Sequence, residues 1–230
     1  MFPKVSLVLT LLVFFSTACA LGSPFRSGVK PAVVSETSEI LSSGSVVAPT
    51  PTPAAQEPIV LPISVYVLDD EDGRLSSTRT AAQLKAVYHK VNEIWAQAGI
   101  KVEVQTIDRV PVPPLYLEAI AARDFRPFFS ATRERLDIPN PSLLNGFYAK
   151  DIGGPNGITP FGSRVFFVTD VPSVHDERVS SHEIGHILGL HHTLEDTSRL
   201  MYPGTNGMLL TEAEITVVRY AAQGLLDGVR

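Results

Sequence analysis

From about Ile59 onward, apolar and polar positions fall into blocks whose spacing predicts one element after another. Ile63-Ser-Val-Tyr-Val-Leu68 is rich in β-branched and aromatic residues and is followed by turn residues from Asp69 to Gly73, which reads as a strand and its exit. Leu84, Val87, Tyr88, Val91, Ile94, Trp95 and Ala98 then recur every three or four positions, the spacing of one helix face. Thr80 and Gln83 supply a capping box at its start, and Gly99 a stop at its end. This helix is expected to back the sheet. Ile100, Val102 and Val104 alternate with Lys101, Glu103 and Gln105, the pattern of a half-buried strand.

A Pro-rich break leads into helical pieces over Tyr116 to Arg123 and Pro127 to Leu136. Two further strands are expected, near Phe147 to Lys150 and over Val165-Phe-Phe-Val168. The unbroken apolar run of the latter suits a central strand buried on both faces. Thr211 and Glu214 cap a last helix carrying Ile215, Val218 and Ala222. Strands alternating with helices predict an α/β (α+β) fold with a mixed sheet.

The first 58 residues do not share this patterning. Lys4, an apolar run from Val5 to Phe15 and the small residues Ser16 to Ala20 form an export signal over 1–20. The run is too short for a membrane helix, which needs about 20 apolar residues. Cys19 is the single cysteine, so an intrachain disulfide is excluded. Its place after the apolar run fits a lipidated Cys at the mature N-terminus, although Ser16 departs from that pattern; cleavage after Ala20 is the alternative. Residues 21–58, rich in Ser, Pro and Thr, read as a disordered tether, with a folded inhibitory propeptide as the other reading. Residues 59–230 then form one globular domain. A net charge of −5 with scattered Lys and Arg offers no field for nucleic acid.

The chemistry concentrates between Ser181 and His192, where His182, Glu183, His186, Gly189 and His192 stand in the spacing HExxHxxGxxH. Residues four apart share a helix face, so His182 and His186 present two imidazoles to one ion. Glu183, beside the first ligand, reaches the side where water would sit. A third ligand from the same straight helix would approach at the wrong angle. Gly189 can take the left-handed conformation that ends a helix and lets His192 swing back. Three protein ligands with a fourth position left over define a catalytic rather than a structural zinc.

These residues resemble the metzincin zinc peptidases, and Leu200-Met-Tyr-Pro203 resembles their Met-turn, with wording nearest the matrixin branch. The resemblance implies a zincin fold with a twisted mixed sheet, a backing helix, an active-site helix, a Met-turn and a C-terminal helix. It also implies that Met201 floors the site without ligating, that zinc acidifies water and polarises the scissile carbonyl, and that Glu183 acts as general base. Substrate would bind extended along an edge strand, for which Asn156-Gly-Ile-Thr-Pro160 is the candidate. The structural zinc site and propeptide cysteine of matrixins have no counterpart residues and are not transferred.

Several other readings stand beside these. His191 is a rival to His192, and Ser180 with Glu183 could form a capping box that uses the carboxylate structurally. His89 and His175 read as ordinary histidines. Asp151, Asp170, Asp176, Glu177 and Asp196 have the oxygen chemistry for calcium, but no loop has a calcium spacing. The expectation is a monomeric, extracytoplasmic endopeptidase with one zinc, acting on proteins or peptides and touching a membrane only through a lipid at Cys19. The alternatives are an inactive zinc-binding surface lipoprotein and a hydrolase of a non-protein amide such as a cell-wall bond.

Overall fold

The computed structural model describes residues 57–135 and 139–228. The export signal, Cys19 and most of the tether lie outside the described residues. Five strands, β1 (Ile59–Asp69), β2 (Ile100–Pro111), β3 (Leu144–Ala149), β4 (Gly157–Ile158) and β5 (Val165–Thr169), form one sheet in the order β2-β1-β3-β5-β4. The first three pairings across that order are parallel, and the β5-β4 pairing is antiparallel. Five helices complete the fold: α1 (Ala81–Trp95), α2 (Pro114–Ala121), α3 (Arg126–Arg135), α4 (Asp176–Ile187) and α5 (Glu212–Leu226). This is the α/β class with the mixed sheet expected.

Side-chain alternation splits the core into two layers. On β1, Leu61, Ile63, Val65 and Val67 join α1, α4 and α5 on one face, while Tyr66 and Leu68 face α2 and α3 on the other. β5 divides the same way, with Phe166 and Val168 against Val165 and Phe167. Burial on both faces therefore comes from helices above and below. The sheet's centre is β3, and β5 is flanked on its outer side only by the two residues of β4. Tyr66, Phe147 and Phe167 sit in register on β1, β3 and β5, and their rings stack at centroid distances of 4.9 and 5.1 Å.

α1 has the predicted capping box: Thr80 accepts from the Gln83 amide, and the Gln83 side chain accepts from the Thr80 amide. A short 3-10 turn then ends at Gly99, which is left-handed at φ 60°. The start of α4 is fixed from the β1–α1 connection. Arg79 donates to both carboxylate oxygens of Asp176, at 2.7 and 2.6 Å, and to the Asp170 carbonyl. Asp170 in turn accepts from the Ser77 hydroxyl at 2.6 Å and from Thr78. Asp170 and Asp176, two of the five acids weighed for calcium, are thus occupied in anchoring α4, where Asp176 also complements the helix N-terminus.

Candidate metal centre and cleft

α4 carries the HExxH residues in its last two turns and ends where Gly189 allows. Gly189 has φ 89°; its amide donates to the His186 carbonyl at 3.1 Å, and the Leu190 amide donates to the Gly185 carbonyl at 2.9 Å. This pair of reversed bonds is the Schellman arrangement, which turns the chain back over the last turn of the helix. The reversal brings the Leu190 carbonyl within 2.9 Å of His186 Nδ1 and returns His192 to the two helical histidines.

The three imidazoles converge as a group, with candidate ligand nitrogens all within 4.8 Å of one another. His192 Nε2 lies 3.1 Å from His182 Nε2 and 3.2 Å from His186 Nε2. Ligand nitrogens about 2.0–2.1 Å from a tetrahedral ion stand about 3.3 Å apart, so two of the three edges already have zinc spacing. The donor chemistry agrees. His182 Nδ1 donates to the Leu200 carbonyl at 2.8 Å and His186 Nδ1 to the Leu190 carbonyl. Carbonyl oxygens only accept, so both rings carry their proton on Nδ1 and turn an Nε2 lone pair inward. Two inward lone pairs that converge on a third ring nitrogen at this range suit a shared cation.

Although His192 is exposed at the surface, desolvation in the cleft favours the neutral form of these rings. It pushes His182 down to about 3 and lowers His186 and His192 as well, with the Arg178 charge adding to the effect on all three. Glu183, 4% exposed, is moved the other way: burial raises its carboxyl to about 7 against the lowering effects of Thr159 and Arg178. His191 lines the same cleft and is exposed, as His192 is, but it stands outside the convergent group.

Ser180 sits within α4, whose first residue is Asp176, and its hydroxyl lies 2.9 Å from the buried Tyr148 hydroxyl. The reading in which Ser180 and Glu183 cap a helix start is therefore overturned. Met201 is fully buried. A Cβ on Gly185 would fall 2.8 Å from its sulfur, so the bare backbone between His182 and His186 is what admits Met201 against the helix. The chain around Met201 is also tied to the ligands, since Leu200 accepts from His182 and the Thr193 amide donates to the Met201 carbonyl at 3.1 Å.

Three residues at the site carry no periodic or motif signal. Arg178, buried one turn before His182, donates from Nη2 to the Leu200 and Tyr202 carbonyls. Gly157 and Thr159, on and just after β4, both lie against Glu183. The cleft above them has a volume of about 1100 Å³, and its walls include Asn156 to Thr159 of the segment Asn156 to Pro160 read as the substrate edge.

No family model matches the chain, and no curated protein matches it by sequence. Solved structures do resemble it. Metalloproteinase-II from Bacteroides fragilis is 15% identical with a TM-score of 0.49, over 73% of this chain and 55% of that protein, so the chain spans about half its length. Archaemetzincin from Methanopyrus kandleri is 13% identical with a TM-score of 0.49, over 74% of this chain and 99% of that one. A chain in a chaperone-substrate complex is 14% identical with a TM-score of 0.50, over 74% of this chain and 36% of its own length. None of the three is described as a matrixin, so the branch suggested by the wording of Leu200 to Pro203 goes unsupported.

Proposed function

We propose that this chain is a zinc-dependent endopeptidase of the metzincin type, with His182, His186 and His192 holding one zinc and Glu183 as general base. The observation that carries the reading is the convergence of three histidine nitrogens, two of them with tautomers set by backbone carbonyls, beside a buried carboxyl in the same cleft. Zinc bound there supplies Lewis acidity, polarising a carbonyl oxygen and acidifying water.

The protein's own groups supply the rest. Glu183, with a carboxyl near neutrality, takes a proton from water at Oε1 and returns it to the leaving amine, while Oε2 stays on Thr159. β4 is an edge strand that pairs with β5 on one side and borders the cleft, so an extended peptide adding to it gains main-chain hydrogen bonds. In this reading residues 1–20 direct export, Cys19 is lipidated or removed, and a monomeric domain on a tether acts on extracytoplasmic proteins and peptides. The test is hydrolysis of casein and a quenched peptide, abolished by chelator and restored by zinc. Cleavage of purified murein alone would favour the cell-wall alternative, and zinc binding without hydrolysis of either would leave a binding protein.

A further inference from the structure

Strand geometry aims two residues of one segment at the same carboxylate. Gly157 and Thr159 are two apart and share a face of the chain, while Ile158 between them packs toward the aromatic cluster under the sheet. A Cβ on Gly157 would lie 2.5 Å from Glu183 Oε1, 2.7 Å from Cγ and 2.8 Å from Cδ, so the Glu183 side chain lies flat on bare backbone. Thr159 Oγ1 donates to Glu183 Oε2 at 2.7 Å and lies 3.1 Å from the Glu183 carbonyl.

We propose that Gly157-Ile-Thr159 is a cradle that fixes the carboxylate of Glu183, with Gly157 admitting it and Thr159 acting as a positioning residue that holds Oε2. The proposal rests on Glu183 being the general base. A glutamate has three side-chain torsions, and a base must meet its proton at hydrogen-bond distance. With Oε2 held by Thr159, one oxygen is left to exchange the proton, and its place is set by the edge strand on which the substrate docks. A peptide that pairs with β4 is thereby registered against the base by the same three residues.

The experiment compares wild type, Thr159→Val, Thr159→Ser and Gly157→Ala, all loaded with zinc. Misplacement of a reacting group by about 1 Å can cost roughly 10²-fold in rate. Thr159→Val, which keeps shape and loses the hydroxyl, should lower kcat about 10- to 100-fold with KM within about 2-fold and zinc content unchanged. Thr159→Ser should recover most of the loss, and Gly157→Ala should lose at least as much as Thr159→Val. A second readout needs no turnover: calorimetric affinity for acetohydroxamate, whose hydroxyl a correctly placed carboxylate accepts, should fall for Thr159→Val and return for Thr159→Ser. Equal kcat for Thr159→Val and wild type, or a fall that Ser does not rescue, overturns the cradle. Should wild type bind zinc yet cleave no peptide, the peptidase reading fails, and the cradle is then decided by hydroxamate affinity: a loss specific to Val sustains it, and equal affinity overturns it.

Discussion

Replacing Arg178 with Met should destabilise the zinc-free domain measurably, because one guanidinium staples α4 to both sides of Met201. Arg178 is 3% exposed, and its Nη2 donates to the Leu200 carbonyl at 2.9 Å and to the Tyr202 carbonyl. Met keeps most of the stem and removes the donors. Leu200 retains His182 Nδ1 as a donor, so the unpaired acceptor is the Tyr202 carbonyl. An unsatisfied, partly buried acceptor costs about 1–3 kcal/mol. Two effects offset part of this: burial already lowers the Arg178 pKa, a sign of desolvation that Met avoids, and Nε has no acceptor to lose. For a domain of this size about 1 kcal/mol shifts Tm by roughly 2–4 °C, so the unpaired acceptor alone corresponds to about 2–12 °C, and with the offsets a fall in the lower part of that range is expected. Thermal melting in excess chelator is the right assay, because removing a buried positive charge also eases cation binding and would mask the loss in zinc-loaded protein. A zinc-free Arg178→Met protein melting at or above wild type would refute the staple.

Further predictions concern the metal and the turn that completes it. His192→Ala should lose zinc on dialysis while His191→Ala keeps it, and elemental analysis finding the reverse would reassign the third ligand. Zinc at 100 times its Kd should stabilise wild type by about 2.7 kcal/mol, or roughly 5–11 °C in Tm, and fail to do so in His186→Ala. Gly189→Ala places a side chain at φ 89° and should cost about 1–2 kcal/mol together with zinc affinity, because the Leu190 carbonyl and His192 both follow from that turn; unchanged affinity would separate the turn from the site.

The parts legible in the sequence are those set by local spacing. The HExxHxxGxxH residues, the Gly189 reversal, the α1 and α5 capping boxes and the strand alternation all follow from short-range periodicity, and they appear where expected. What the pattern concealed depends on partners far along the chain. β2 runs on to Pro111, past the clear alternation that ends at Gln105, because it is an edge strand whose outer positions need not be apolar. Val165 to Val168 is, as read, an interior strand buried on both faces, but the sequence does not show which helices cover each face. β4 has only two residues and leaves no period to detect. Arg178, Gly157 and Thr159 reach their partners across more than 20 residues, and a lone Arg, Gly or Thr carries no mark of such a contact.

Zinc-loaded Glu183→Gln tests the three-histidine metal site and the proton-handling glutamate at once. Its zinc content, by elemental analysis, and its kcat on a quenched peptide are compared with those of wild type prepared in parallel. Equal zinc, one per chain, is expected, with kcat lowered about 10²- to 10⁴-fold, as follows when a general acid–base group is removed. Near wild-type turnover in Glu183→Gln, or zinc lost along with the carboxylate, would contradict these roles.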